Sequence, residues 1–158
     1  MDLDGNLSGT RTASAPDGSG SFNYAAADWN ETFTFTHNSG TVTFDRAGTT
    51  TLGSDATSFY DVDIDASATL DTNSGNDYSL TVTGDTDISG TLTGNASAIS
   101  VGSMTINSGG TYSATSETTT LTSKDGSNYT LNISGGVLTH NNGTFAWNCG
   151  ASFISMGN

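Results

Sequence analysis

Proline, cysteine and basic residues are nearly missing from this chain of 158 residues, which has one proline, one cysteine and three lysines or arginines. The single cysteine, Cys149, excludes a disulfide framework within the chain and a metal site built from several cysteines. The shortage of basic residues leaves a net charge of −13, which repels phosphate backbones and anionic lipids. No apolar run approaches the roughly 18 residues that a membrane span needs. We therefore expect no nucleic-acid partner and no membrane insertion.

Apolar residues are also scarce, because only 33% of the chain is hydrophobic against roughly 45–50% in an average globular protein. This shortage excludes a thick core. Threonine and serine fill the gap, with 28 and 22 copies. Threonine favours strands because its branched Cβ is stiff, and disordered chains lack such residues and aromatic ones. The composition therefore predicts an all-β protein with a narrow core and a surface rich in hydroxyl groups.

The chain divides into two predicted regions. Residues 1–28 are interpreted as an N-terminal arm or linker, because they are poor in apolar residues and contain the turn-forming run Pro16–Gly20. Residues 29–158 are the predicted β-domain. The first residues show no basic region followed by an apolar one, so no secretion signal is expected. A piece of a longer precursor, or a virion protein released by lysis, would fit this pattern.

Short stretches of alternating apolar and polar residues predict strands with one buried face. They are Phe33–Thr36, Val42–Phe44, Val62–Ile64, Leu80–Val82, Met104–Ile106, Leu131–Ile133 and Phe145–Trp147. Asn- and Gly-rich stretches separate these strands, and such residues supply the positive φ that tight turns need. The chain is therefore predicted to be a series of short strands joined by tight turns.

Two observations favour a solenoid over other all-β folds. The segment Thr36–Thr41 recurs as Thr139–Thr144 with five of six positions identical. Apolar pairs also recur along the chain at broadly similar, though irregular, intervals, beginning at Val62, Leu80, Met104 and Leu131. Such intervals suit solenoid coils of roughly 20–45 residues. We expect a parallel β-helix, or β-solenoid, and keep a β-sandwich or jelly roll as the alternative.

The run from Phe35 to Ile106 resembles the β-helical repeats of large bacterial surface proteins and of environmental phage structural proteins. The shared motifs are the unit Thr36–Asp45, the aromatic-led strand Phe59–Ile64 and the segment Leu80–Gly84. This resemblance implies a β-helical fold and a structural role at a virion or cell surface. Because the motifs are low in complexity, they indicate architecture much more than function.

Alternating aspartates are the candidate metal ligands. Asp61, Asp63 and Asp65 are predicted to project from one face of a strand, and Asp85 and Asp87 do the same on a later strand. Stacked carboxylates repel one another unless water or a cation lies between them, and Ca²⁺ prefers oxygen ligands. The sequence thus allows a calcium site at Asp61, Asp63 and Asp65, with a solvated acidic face as the simpler interpretation. No other cofactor is expected.

No catalytic residue is predicted. His37 and His140 occupy matching places in the repeated segment, which favours a role in turns over catalysis. A polysaccharide lyase would need basic residues, and only Arg11, Arg46 and Lys124 are present. A hydrolase with paired carboxylates is harder to exclude, although nothing singles out one pair.

Glycan binding is an alternative function, through stacking of sugar rings on exposed aromatic side chains. The candidates are Trp29, Tyr60, Tyr78, Tyr112, Tyr129 and Trp147.

Together these features predict a non-enzymatic structural protein of a virion or an extracellular filament, such as a tail fibre, spike, decoration or surface fibre. Its expected partners are further copies of itself or neighbouring repeats of a longer chain, with surface glycans as a further possibility. Its expected location is extracellular or on a virion surface. The alternatives are a glycan-binding adhesin segment and a β-helix polysaccharide lyase or hydrolase.

Overall fold

The computed structural model describes residues 2–3, 11–18, 20–29, 33–54, 58–150 and 153–157. These residues form 19 β-strands and no helix. Every strand pair among them is parallel. The chain is a β-solenoid of about six turns, as predicted from its sequence. The alternative of a sandwich or jelly roll is wrong, because those folds are built from antiparallel strands.

The strands stack into three parallel ladders along the solenoid. Ladder 1 contains β2 (Arg11–Ser14), β5 (Phe33–Thr36), β8 (Ser58–Phe59), the first parts of β11 (Leu80–Ile88) and β13 (Ile99–Ile106), β15 (Thr118–Leu121) and β18 (Thr144–Trp147). Ladder 2 contains β1 (Asp2–Leu3), β3 (Ser21–Tyr24), β6 (Thr41–Phe44), β9 (Asp61–Ile64), the second parts of β11 and β13, β16 (Leu131–Ser134) and β19 (Ile154–Gly157). Ladder 3 contains β4 (Asp28–Trp29), β7 (Gly48–Leu52), β10 (Ala68–Asp71), β12 (Thr91–Thr93), β14 (Thr111–Ser113) and β17 (Val137–Thr139).

From β2 onward the chain visits ladder 1, then ladder 2, then ladder 3, and repeats this order. The long strands β11 and β13 continue from ladder 1 into ladder 2, and their pairing shifts in register between Val82 and Asp85. A coil therefore has three sides, and each side lies next to the same side of the following coil. Strand pairing is continuous except on ladder 1, where β2 and β5 form a separate two-stranded sheet.

The core is a narrow interior lined by residues that stack in register. In ladder 2, we follow one core column from Phe22 and a second from Tyr24, and name them the Phe22 column and the Tyr24 column; the preceding strand, β1, places Leu3 in register with Tyr24. The Phe22 column consists of Phe22, Val42, Val62, Thr86, Met104, Leu131 and Ile154. The Tyr24 column consists of Tyr24, Phe44, Ile64, Ile88, Ile106, Ile133 and Met156. Each member except the last is buried.

The coil length varies along these columns, which explains one sequence-based error. In the Phe22 column, for example, the chain is longer between Met104 and Leu131 than between Thr86 and Met104. The spacing of apolar pairs in the sequence placed Val62 and Leu80 at matching positions of successive coils. In the structure Leu80 lies on ladder 1, and the residue in register with Val62 is Thr86. Thr86 is fully buried despite its hydroxyl group, so the apolar pattern alone misses this strand.

The repeated segment also has a different meaning in the structure. Thr41 lies on ladder 2, whereas Thr144 lies on ladder 1. The two copies therefore occupy different corners of the solenoid, and their similarity reflects the chemistry of the turn. The fourth residue of each copy takes a left-handed conformation, with φ of 58° at both Ser39 and Asn142.

The first coils differ from the predicted N-terminal arm. Residues 11–14 and 21–24, placed in the arm by the sequence prediction, form β2 and β3 and pair with β5 and β6. The boundary predicted at residue 29 falls inside β4. The cause is the alternation Phe22-Asn23-Tyr24, whose signal is hidden by the Gly- and Ser-rich residues around it.

Candidate functional site

Four aspartates on two adjacent coils form the most strongly charged surface of ladder 2. In β9, Val62 and Ile64 are buried, so the alternating residues Asp61 and Asp63 project outward. In β11, Thr86 and Ile88 are buried, and Asp85 and Asp87 project outward in the same way. We name Asp61, Asp63, Asp85 and Asp87 the acidic face.

The register of the two strands brings the carboxylates of the acidic face together. Asp87 lies directly opposite Asp63, and neighbouring strands are about 4.8 Å apart. The backbone N–H of Asp85 donates a hydrogen bond to Oδ1 of Asp61 over 2.8 Å. Gly84 leaves room for this arrangement, since a Cβ atom there would collide with the Asp61 carboxylate.

Hydroxyl groups border the acidic face on the next coil. The Ser103 hydroxyl donates to Oδ1 of Asp85 over 2.5 Å, and the Thr105 hydroxyl donates to Asp87. Ser103 and Thr105 were not among the site residues predicted from the sequence. They could have been found from the Ser-x-Thr pattern at the outward positions of the following strand, once the register of Asp85 with Ser103 was known.

Burial and mutual repulsion raise the pKa values of Asp61, Asp63 and Asp87. Burial is the main cause for Asp63, whose pKa rises from 3.8 to about 6, and the charges of Asp87, Asp65 and Asp61 add to it. Burial likewise raises the pKa of Asp61, partly offset by the hydrogen bond from the Asp85 backbone. Burial and nearby carboxylates raise the pKa of Asp87, while the Thr105 hydrogen bond lowers it. Ionising Asp61, Asp63 or Asp87 therefore costs more free energy than ionising a fully exposed aspartate.

The predicted calcium ligands are only partly brought together. Asp61 and Asp63 share β9, but Asp65 follows the strand and is exposed. Within the part of the chain that the structure describes, no three His, Cys, Asp or Glu residues are grouped so as to hold a metal ion. The three aspartates thus do not form a coordination shell, and calcium binding stays a prediction based on charge.

The two histidines take part in turns. In each case Nδ1 accepts a hydrogen bond from the backbone N–H two residues later, over 3.1 Å from Ser39 to His37 and 3.3 Å from Asn142 to His140. The His37 ring also stacks on Tyr60, with the ring centres 5.9 Å apart. These contacts support the turn role that the sequence favoured.

Two of the three basic residues, Arg46 and Lys124, contact other residues in the structure. Nη1 of Arg46 donates to the backbone oxygen of Thr49 over 2.8 Å, and Nζ of Lys124 lies 5.6 Å from the centre of the Phe153 ring. Arg11 lies on β2, but its side chain is outside the described part of the structure. Neither described basic side chain lies in the acidic face.

The candidate glycan-stacking residues divide by burial. Trp29 and Tyr112 are fully buried and cannot stack on a sugar. Tyr60, Tyr78 and Tyr129 are half-buried, and Trp147 is exposed. The surface available for stacking is therefore smaller than the sequence suggested.

No family model, curated protein or solved structure matches the chain significantly. The described residues contain no helix that could cross a membrane. The fold and the acidic face are thus the observations from which a function can be argued.

Proposed function

We propose that this chain is a non-enzymatic structural element of a virion or an extracellular filament, in which stacked coils make a stiff rod. A tail fibre, spike, decoration or surface fibre would use the chain in this way. Its proposed location is the virion surface or the cell exterior, and its proposed partners are other copies of itself or neighbouring repeats.

The observation that carries this proposal is the continuous parallel pairing along the solenoid. Ladder 2 runs without interruption from β1 to β16 and β19 through backbone hydrogen bonds. Repeats that stack only on their neighbours build extended structures, with a length set by the number of coils. Such an arrangement resists bending and suits a mechanical role.

The acidic face fits the same role without any catalytic function. Its carboxylates are hydrogen-bonded to a backbone N–H and to hydroxyl groups of neighbouring coils, which are stabilising contacts along the rod. A net charge of −13 also keeps the sides of such rods apart and in solution.

Fractionation of the source culture tests the proposal. An antibody raised against this chain would be used on three fractions: pelleted particles, the washed cell surface, and the cell lysate after removal of particles and membranes. We expect the chain in the particle or surface fraction. Its presence only in the cleared lysate would contradict the proposal.

A glycan-binding surface segment is the second candidate, favoured by the half-buried Tyr60 ring stacked on His37. Such a pair could form a small aromatic platform for a sugar ring. A glycan array separates the two candidates. Binding that is lost in Tyr60→Ala and kept in Tyr78→Ala would favour the adhesin function.

A further inference from the structure

The outward side of ladder 3 carries a regular array of hydroxyl groups in the middle coils. The inward residues Thr50, Leu70, Leu92 and Tyr112 are in register and buried, so the residues on either side of each project outward. Seven of these eight outward positions hold a hydroxyl group, and we name the seven residues the hydroxyl face. They are Thr49, Thr51, Thr69, Thr91, Thr93, Thr111 and Ser113.

The outward positions form two columns that run along the solenoid. The first contains Thr49, Thr69, Thr91 and Thr111, and the second contains Thr51, Asp71, Thr93 and Ser113. The register is unbroken over these four strands, whereas the pairing of β11 with β13 shifts between Val82 and Asp85. Hydroxyl groups therefore repeat about every 4.8 Å along the solenoid and about every 6.6 Å across it, because strand spacing and residue alternation set these distances.

The hydroxyl face is held rigid from behind. Leu70, Leu92 and Tyr112 are fully buried beneath it, and the Thr50 hydroxyl donates a hydrogen bond to the backbone oxygen of Ala26 over 2.6 Å. Threonine side chains are also stiff, because the branched Cβ restricts χ1. A surface built in this way loses little conformational entropy when it binds a partner.

The hydroxyl groups of this face differ from those on ladder 2. There, the Ser21 and Thr43 hydroxyls bond to each other over 2.7 Å, and the Ser103 hydroxyl donates to Asp85. Within the part of the chain that the structure describes, no hydroxyl group of the hydroxyl face bonds to another protein group. These groups are therefore open to a partner outside the chain.

The hydroxyl face carries little charge, although the chain has a net charge of −13. Asp71 is the only charged residue in the two columns, and its Oδ1 accepts hydrogen bonds from the Asn73 backbone N–H over 2.6 Å and from Nδ2 of Asn95 over 2.8 Å. Asp28 lies beside the face, in register with Thr51. The acidic face occupies a different side of the coil. Charge thus keeps the chain dissolved, while the hydroxyl face suits an uncharged partner.

The two spacings of the hydroxyl face fit a lattice of water molecules. In a tetrahedral network with oxygen–oxygen distances of about 2.75 Å, second-neighbour oxygens lie about 4.5 Å apart and pairs of layers repeat about every 7.3 Å. The repeats of the hydroxyl face lie within about 10% of both values. Over four strands the 4.8 Å repeat exceeds the lattice repeat by a total of about 1 Å, less than half of one oxygen–oxygen distance. All four coils can therefore contact the same ice surface.

A crystalline polysaccharide is the competing uncharged partner. Sugar rings bind proteins largely by stacking on aromatic side chains. The two columns of the hydroxyl face contain no aromatic residue, and the ring of Tyr112 lies on the inward side, fully buried. The observations therefore favour ice over a sugar surface.

We propose that the hydroxyl face binds ice through its rows of threonine hydroxyl groups. In liquid water one such hydrogen bond gains little, because it replaces another bond to water. A fixed lattice offers partners to all rows at once, so that many weak contacts act together. This inference goes beyond the proposed structural role and does not depend on it.

Partition into slowly growing ice tests the proposal. The purified chain and serum albumin would be dissolved together, and part of the solution would be frozen slowly on a cold probe. Ice excludes ordinary solutes, so albumin should stay in the liquid. We expect the ice-to-liquid concentration ratio of the chain to exceed that of albumin by about tenfold or more. Equal ratios for the two proteins would overturn the proposal.

Paired substitutions locate the binding surface. Thr91→Tyr adds a bulky ring to the first column and keeps a residue type that strands favour. It should lower the ice-to-liquid ratio about tenfold or more, because the ring lifts neighbouring threonines off the lattice and their hydrogen bonds are lost. Thr111→Tyr, on the next strand, should give the same loss.

Thr120→Tyr is the matched control, and it should leave the ratio unchanged. Thr120 is a half-buried outward residue of ladder 1 with a strand on each side, in register with Ser100 and Ala146. Circular dichroism checks that every variant is folded. A folded Thr91→Tyr variant that keeps its ratio, or an equal loss in Thr120→Tyr, would overturn the assignment of ice binding to the hydroxyl face.

Two further measurements separate ice from other occupants of the face. The chain should not be retained by microcrystalline cellulose or chitin, and retention that Thr91→Tyr abolishes would assign the face to a polysaccharide instead. Light scattering should give the same mass for the unmodified chain and Thr91→Tyr. A larger assembly that Thr91→Tyr breaks apart would assign the face to a second copy and overturn the proposal.

Discussion

The two ends of the solenoid use the same core columns with opposite results. In the first coils, the rings of Phe22, Tyr24, Trp29 and Phe44 pack with centres 4.6 to 6.5 Å apart and are fully buried. In the last coil, Met156 occupies the Tyr24 column and is 75% exposed. The comparison shows that an inward position does not bury a side chain by itself. Burial in a solenoid requires a neighbouring coil on each side.

The largest expected difference is between a covered and an exposed position of the Phe22 column, each substituted by aspartate. Val62→Asp places an unpaired charge in a fully buried position and should cost about 5 kcal/mol or more, enough to prevent folding. Ile154→Asp places it at the exposed end and should leave the other coils folded. Circular dichroism with urea unfolding of dilute protein checks both. A folded Val62→Asp variant would contradict the inward assignment of this column.

The two tryptophans give the next comparison. Trp29 is fully buried, and its ring centre lies within 6.4 Å of those of Phe22, Tyr24, Phe35, Phe44 and Phe59. Trp29→Ala should therefore lower the free energy of unfolding by about 4 kcal/mol. Trp147→Ala, at the open end, should cost about 1 kcal/mol or less in the monomer. Urea unfolding measures both changes. Equal losses would show that the last coil is as well covered as the first.

The smallest expected effect concerns the acidic face in the middle coils. Folding raises the pKa of Asp63 from 3.8 to about 6, so the folded state holds its proton more tightly than the unfolded state. The contribution of Asp63 to the free energy of unfolding is therefore most favourable below about pH 4, and it falls as pH rises toward about 6. Because Asp63 is half-buried, we expect a loss of roughly 1 kcal/mol, less than the full shift implies.

Asp63→Asn removes this titration and should raise stability by roughly 1 kcal/mol at pH 7 but not at pH 3.5. Asp17→Asn, at an exposed position on a turn, is the matched control and should change little at either pH. Urea unfolding at the two pH values makes the measurement. A gain for Asp63→Asn at both pH values would contradict the electrostatic explanation.

Much of the fold could be predicted from local patterns. The alternation in segments such as Val62–Ile64 and Leu131–Ile133 marks strands with one buried face, and both are confirmed. Turn positions were also predictable, because residues such as Asn73 and Asn128 adopt the positive φ that asparagine tolerates.

The assignment of strands to ladders could not be predicted, because successive coils differ in length and an apolar pattern gives no coil boundaries. Thr86 adds to the difficulty, since a threonine fills an interior position where neighbouring coils have Val62 and Met104.

The candidate site was predictable in part for the same reason. That Asp61 and Asp63 share one face of a strand follows from alternation, as it does for Asp85 and Asp87. That the two pairs lie side by side depends on the length of the coil between Asp63 and Asp87, which no local pattern shows. The position of Asp65 was misjudged because β9 ends at Ile64, and alternation holds only within a strand.

The stacking of coils is the central claim, and distances along one outward column of ladder 2 test it most directly. Asn23, Thr105 and Ser155 lie in this column. Thr105 is four strand spacings from Asn23, and Ser155 is six strand spacings from it. Spin-label pairs at 23 and 105 and at 23 and 155, in a Cys149→Ser background diluted with unlabelled chain, should give about 19 Å and about 29 Å, since each coil adds about 4.8 Å. Distances that do not increase in this proportion would contradict the solenoid.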